Sequence, residues 1–192
     1  TGLVRDCVKL EFIGFGTMHP DYDNYEAELH RIKAAGLRGI KLHSDFQKFQ
    51  IDAARMDNVY DIMTDLEMPL IMHAGDYRYD FSGPQRILNL HKKHPKLTLI
   101  AAHFGGYTEW DNSMKYLVGE DVYFDTSSTL EWLSLDKANK MIRAHGVEKF
   151  LFASDFPMWD HEEELERFNR LDLSDEEREM ILHKNAEKLL KL

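Results

Sequence analysis

Cysteine is nearly absent: Cys7 stands alone among 192 residues. That excludes an internal disulfide and any zinc site built on several thiolates, and a chain so poor in cysteine suits a reducing, cytoplasmic setting. Long apolar runs are missing too, since nothing approaches the roughly 20 residues that span a bilayer. The opening Thr1-Gly2-Leu3-Val4-Arg5-Asp6 does not read as a signal peptide, so no membrane partner is expected. Basic excess is lacking. Lys and Arg number 24 against 34 Asp and Glu, a formal net charge of −10, and nucleic acid is excluded as a partner because a phosphate backbone calls for clustered cations. No glycine-rich loop follows the first apolar run, which removes the main sign of a doubly wound nucleotide binder. The acidic surplus gathers in Glu162-Glu163-Glu164 and Asp175-Glu176-Glu177, both read as solvated helix faces.

What the chain does have is a period. Its 43% hydrophobic content is enough to bury the core of one domain over 1–192. Strand-like apolar runs occur at 12–17, 37–42, 69–73, 97–103, 121–126 and 149–155, about 25–30 residues apart, the length of one strand-helix unit. Helical patterns lie between them. Asn24 is placed to cap 25–35, which stops at Gly36, and Asp52 to open 53–67. Pro84 begins 85–94, and Ser134 begins 135–145. Ser174-x-x-Glu177 has the form of a capping box opening the last helix. The alternation predicts an α/β fold with a parallel sheet, and ionisable residues recurring at strand ends favour a (β/α)8 TIM-type barrel over an open sheet. Only six units are countable, whereas a complete barrel takes eight units and roughly 250 residues. The chain opens on Thr rather than Met, and an upstream segment is expected to have been removed.

Three apolar runs end in an ionisable residue and a turn: Leu70-Ile71-Met72-His73, Leu99-Ile100-Ala101-Ala102-His103 and Leu151-Phe152-Ala153-Ser154-Asp155. Strand alternation predicts that Ile71 shares a face with His73, Ala101 with His103, and Ala153 with Asp155. Imidazole and carboxylate suit a divalent ion, zinc foremost, and catalytic zinc usually takes three protein ligands plus water. His73 and Asp155 are the candidate metal ligands; His103 and Asp155 are the candidate catalytic groups. His43, ending Ile40-Lys41-Leu42-His43, and Arg78, in the loop with Tyr77 and Tyr79, are the candidate contacts to a small-molecule substrate. Lys41 faces as His43 does and is expected to pair with a carboxylate, the alternative being a carboxylated lysine that bridges two metals. Asp125 reads as a hydrogen-bonded pocket wall, and His19 as either a site or a turn residue. His30, His91, His94, His145, His161 and His183 fall in or beside helices and are read as surface residues.

At these positions the chain resembles the amidohydrolase superfamily, in the branch of aminocarboxymuconate semialdehyde decarboxylase and its hydrolase-like relatives. The resemblance is carried by Gly14-Phe15-Gly16-Thr17-Met18-His19-Pro20, Gly39-Ile40-Lys41-Leu42-His43, Pro69-Leu70-Ile71-Met72-His73, Ala102-His103-Phe104-Gly105-Gly106, Phe124-Asp125-Thr126-Ser127 and Ala153-Ser154-Asp155-Phe156-Pro157, with Asn185-Ala186-x-x-Leu189-Leu190 as a closing helix. It implies that the six strands are the third to eighth of the barrel. His73 then resembles a metal ligand, His103 the catalytic histidine, and Asp155 the aspartate that binds metal and moves protons. The family's first strand carries a His-x-His pair, and this sequence has none; it reads as a fragment or as a shortened relative. The leading expectation is metal-assisted hydrolysis of a small organic acid, amide or lactone. Decarboxylation by the same residues is the alternative. A non-catalytic remnant that associates with itself through open sheet edges, a possible homo-oligomer, is a third reading.

Overall fold

The computed structural model describes residues 12–192, and Cys7 lies outside them. Six strands form one parallel sheet in sequence order: β1 (Phe15–Gly16), β2 (Gly39–Leu42), β3 (Leu70–Met72), β4 (Leu99–Ala101), β5 (Tyr123–Asp125) and β6 (Phe150–Leu151). Each strand pairs with the next and the order never reverses, which is barrel winding rather than the doubly wound pattern. Among the described residues the ladder does not close between β6 and β1. The fold is therefore six successive units of a TIM-type barrel, as the apolar period predicts.

The crossovers follow local chemistry. Helix α1 (Tyr25–Ala34) forms where expected, although the Asn24 side chain makes no capping bond. One turn, α2 (Ser44–Gln47), follows β2 directly. The helix expected over 53–67 divides into a 3-10 turn (Ala54–Met56) and α3 (Asp57–Asp65). Pro84 opens α4 (Pro84–Lys93), and α5 (Trp110–Tyr116) follows β4. In α6 (Leu135–His145) the Ser134 side chain accepts from the Lys137 amide, and Ala138, Met141 and Ile142 are buried at helical spacing. Helix α7 (His161–Phe168) precedes α8 (Asp175–Glu179), which opens with the complete Ser174–Glu177 capping box; a π turn (Met180–Lys184) leads into α9 (Asn185–Leu190). No described helix is long and apolar enough to cross a membrane.

Register separates two rows of strand side chains. Leu70, Leu99 and, one step on, Met72, Ala101, Phe124 and Phe150 align with one another and join the core beneath the helices. Lys41, Ile71, Ile100 and Tyr123 align on the inner face. Ala101 thus belongs to the core row and not to an inner row with His103. The ladder ends at Ala101, and His103 takes a left-handed φ of 62°, so the alternation that held along the strand no longer governs where its side chain points.

Some residues read as solvated are interior. His91, His94 and His145 are all less than a tenth exposed. His94 is held by Asp57 and Asp61, and His145 by the Gly119 amide and the Val122 carbonyl, whereas His91 Nδ1 is buried without a partner. Glu164 is buried as well, with Oε1 accepting from Arg167 Nη1 at 2.8 Å, and burial pushes its carboxyl up.

The free side of β6 is covered by the C-terminal segment. The Leu151 carbonyl accepts from Thr126 on the β5 side, while Phe152 N–H donates to the Ile181 carbonyl at 2.8 Å. Asn185 Nδ2 donates to the carbonyls of Phe150 and Val147, at 2.8 and 2.9 Å. A strand edge that would otherwise offer unpaired groups is thereby satisfied.

Candidate metal centre and active site

The strands run out at one end of the sheet, where the loops enclose a cleft of about 290 Å³ lined by Lys41, His43, His73, His103 and Asp155, with Phe46, Tyr107, Met158 and Trp159 as its apolar walls. Two loops are pressed together there. Gly75 bridges to Tyr107, has a φ of +84°, and a Cβ on it would lie 2.6 Å from the Tyr107 nitrogen. Only glycine fits at that contact.

His73 continues the β3 ladder, its N–H donating to the Leu42 carbonyl at 3.0 Å. Its Nδ1 lies 3.0 Å from His103 Nε2. On its other side His103 Nδ1 lies 3.0 Å from both the carbonyl and the hydroxyl of Ser127. A carbonyl can only accept, which puts the proton of neutral His103 on Nδ1 and makes its Nε2 an acceptor. His73 must then donate from Nδ1, and its Nε2 carries a bare lone pair. Asp125 fixes this arrangement from behind. Its Oδ1 accepts from the His103 and Ser127 amides and from the Ser127 hydroxyl, at 2.9, 3.0 and 2.6 Å.

The lone pair of His73 faces other acceptors. Asp45 Oδ2 is 3.7 Å from His73 Nε2 and is held by the Ser82 hydroxyl at 2.5 Å. The His43 ring stacks on His73, centroids 4.1 Å apart, and on Phe46 at 3.8 Å. His43 Nδ1, Asp45 Oδ1 and His73 Nε2 are buried without a hydrogen-bond partner, and one donor atom from each residue lies within 4.8 Å of the others. Two imidazoles and a carboxylate gathered within 4.8 Å have the donor chemistry of a divalent-cation site, and one of the stacked His43 and His73 rings would turn for both lone pairs to meet a single ion. Burial, reinforced by the other charges nearby, pushes His73 down to about 2 and His43 down to about 4, so both imidazoles are neutral at ordinary pH. Burial pushes Asp45 up against the opposing Ser82 bond.

The expected residues largely meet. His73 and His103 touch, and Asp155 lines the same cleft, its Oδ2 accepting from the Ser128 hydroxyl at 2.8 Å. Asp155 is exposed at the mouth and is not one of the three clustered donors. His43 is one of them. Arg78 lines the mouth, but its Nε and Nη2 bind Asp76 Oδ1 and Oδ2 at 2.8 and 2.5 Å; the hydrogen-bonded pair holds Asp76 down and Arg78 up. His19 has a turn role, with Nδ1 accepting from the Asp21 amide and Nε2 3.1 Å from the Gln47 carbonyl. Burial pushes Lys41 down, against the pull of Asp125 and Asp155. Asp45 escaped the sequence reading; its signal was the His43-x-Asp45 spacing just past a strand end.

The family profile for amidohydrolases matches residues 10–192. Decarboxylase orsB of Emericella nidulans is 29% identical over 97 residues, which are 48% of this chain and 28% of that protein, so the match spans less than a third of that relative. The structure of 5-carboxyvanillate decarboxylase LigW from Sphingomonas paucimobilis superposes with a TM-score of 0.78 at 16% identity, covering 100% of this chain and 70% of the other. For a dihydroxybenzoic acid decarboxylase from Polaromonas sp. JS666, with bound manganese and the inhibitor 2-nitroresorcinol, the values are 0.73, 20%, 95% and 70%. For the uncharacterised TIM-barrel protein Bb4693 from Bordetella bronchiseptica they are 0.79, 21%, 99% and 70%. These likenesses establish the barrel, and with the profile spanning nearly every residue, the chain belongs to the amidohydrolase family.

Proposed function

We propose that the chain serves the metal-dependent, non-oxidative decarboxylation of a small aromatic acid. The observation that carries this reading is the cleft itself, where three unpartnered donors adjoin a hydrogen-bonded imidazole pair beneath aromatic walls. The relatives lend support: three are decarboxylases by name, and the Polaromonas structure has bound manganese and the inhibitor 2-nitroresorcinol. Hydrolysis was the leading expectation from sequence, and these relatives move decarboxylation ahead of it. Zinc was the expected ion; two imidazoles and a carboxylate also suit manganese, the ion named with the Polaromonas structure.

His43, Asp45 and His73 would hold the ion, which supplies Lewis-acid charge toward substrate oxygens. The reaction adds a proton to the ring carbon bearing the carboxylate, breaks the carbon–carbon bond, returns its electron pair to the ring and releases carbon dioxide. Asp155, exposed at the mouth and steadied by Ser128, carries the proton inward from water. His103 is fixed by Ser127 and Asp125 and orients His73. The test is incubation of manganese- or zinc-loaded protein in D2O with hydroxybenzoates, lactones and amides. The reading expects carbon dioxide and a ring deuterium at the vacated carbon. Opened lactone or amide without carbon dioxide restores the hydrolytic reading.

A further inference from the structure

Lys41 stands on the inner row of β2, two residues before His43, and lines the cleft. Among the described residues its ammonium makes no hydrogen bond and has no carboxylate oxygen within 4.0 Å. The carboxylates whose charge reaches it, Asp125 and Asp155, are bonded elsewhere: Asp125 to His103 and Ser127, Asp155 to Ser128. The guanidinium that lines the cleft, Arg78, is occupied by Asp76. A partly buried ammonium without a close partner is costly until an anion reaches it. The space beside it is at the small end of ligand pockets and walled by Phe46, Tyr107 and Trp159.

We propose that Lys41 is the specificity residue that receives the carboxylate of the substrate, selecting a flat acid over its neutral isostere. The ligand class rests on the decarboxylase reading above; the anchor rests on the cleft. A departing carboxylate loses its charge as it becomes carbon dioxide, so an ammonium bound to it stabilises the bound acid more than the reacting state. Loss of Lys41 is therefore expected to raise KM without lowering kcat.

The test is calorimetric binding of 2,6-dihydroxybenzoate and 2,6-dihydroxybenzamide to the wild type, Lys41→Met and Lys41→Arg. Manganese-loaded and EDTA-treated protein are compared, which separates any pull of the ion on the acid. The wild type should prefer the acid by about tenfold or more, the scale of a charged hydrogen bond. Lys41→Met should cut that ratio about tenfold and leave amide affinity within about twofold, so that amide binding also reports a folded cleft; Lys41→Arg should restore the preference. An unchanged ratio in Lys41→Met, equal binding of both compounds by the wild type, or binding of neither overturns the proposal. A Lys41-dependent preference for the acid without carbon dioxide release upholds the anchor and sinks the decarboxylase reading alone.

Discussion

His145 illustrates how one interior side chain ties stability to pH. Its ring stacks on Phe124, centroids 4.0 Å apart, while Nδ1 accepts from the Gly119 amide at 3.0 Å and Nε2 lies 2.8 Å from the Val122 carbonyl. The neutral Nε2–H tautomer satisfies both contacts, whereas a second proton on Nδ1 would meet the Gly119 N–H head on. Burial, first of all, pushes this imidazole down. Below the unfolded value of about 6.5 the unfolded chain takes up a proton that the folded chain refuses, so stability must fall with pH in that window and level off below the folded value. Thermal melts from pH 7.5 to 5 should show a falling midpoint, and His145→Gln a shallower slope; identical slopes would remove His145 as the cause. Asp45 yields a second prediction. Asp45→Asn keeps the shape and the Ser82 neighbour but deletes the only anionic donor of the cluster, and manganese or zinc affinity should drop about tenfold or more by analogy with lesser changes around metal ligands. Metal content after dialysis measures it. Nothing in residue type alone distinguished Asp45 from a solvated turn aspartate, or His145 from a surface histidine; burial decided both, and burial is set by packing.

At the scale of elements, β6 depends on a residue 35 positions away in sequence. Asn185 serves two carbonyls with one amide, and it is 6% exposed. Asn185→Ala should cost about 1–3 kcal/mol, the penalty for stranding buried acceptors, and urea unfolding gives the number. Faster amide exchange at Phe152, whose N–H is held by the Ile181 carbonyl, would locate the damage; uniform exchange elsewhere with Phe152 unaffected would contradict it. All six strands were legible because an apolar run bounded by Gly, Pro or charge leaves little else to form. The single turn of α2 was not, since four residues carry no period. Nor was the facing of His103, because a left-handed φ just past a strand cannot be read from alternation.

For the whole molecule, the candidate site ties together units distant in the chain: the loop after β2, the ends of β3 and β4, and through Ser127 the end of β5. The sequence disclosed that His43, His73, His103 and Asp155 end four of the six strands, and a parallel barrel-type winding then puts them on one rim. It did not disclose which of them cluster as unpartnered donors, because that turns on tautomers and on a carboxylate brought in by α2. If the three orphaned donors are the seat of the ion, metal should stabilise the entire fold, since an ion that binds only the folded chain adds about 2.7 kcal/mol at a hundredfold excess over Kd. For a chain of this length each kcal/mol moves the melting midpoint by about 2–4 °C, so manganese or zinc should raise it by roughly 5–11 °C, and EDTA should reverse the gain. Asp45→Asn should abolish most of that shift, while Asp155→Asn should retain it. A shift lost in Asp155→Asn and kept in Asp45→Asn would move the ion to the mouth of the cleft, beside Ser128.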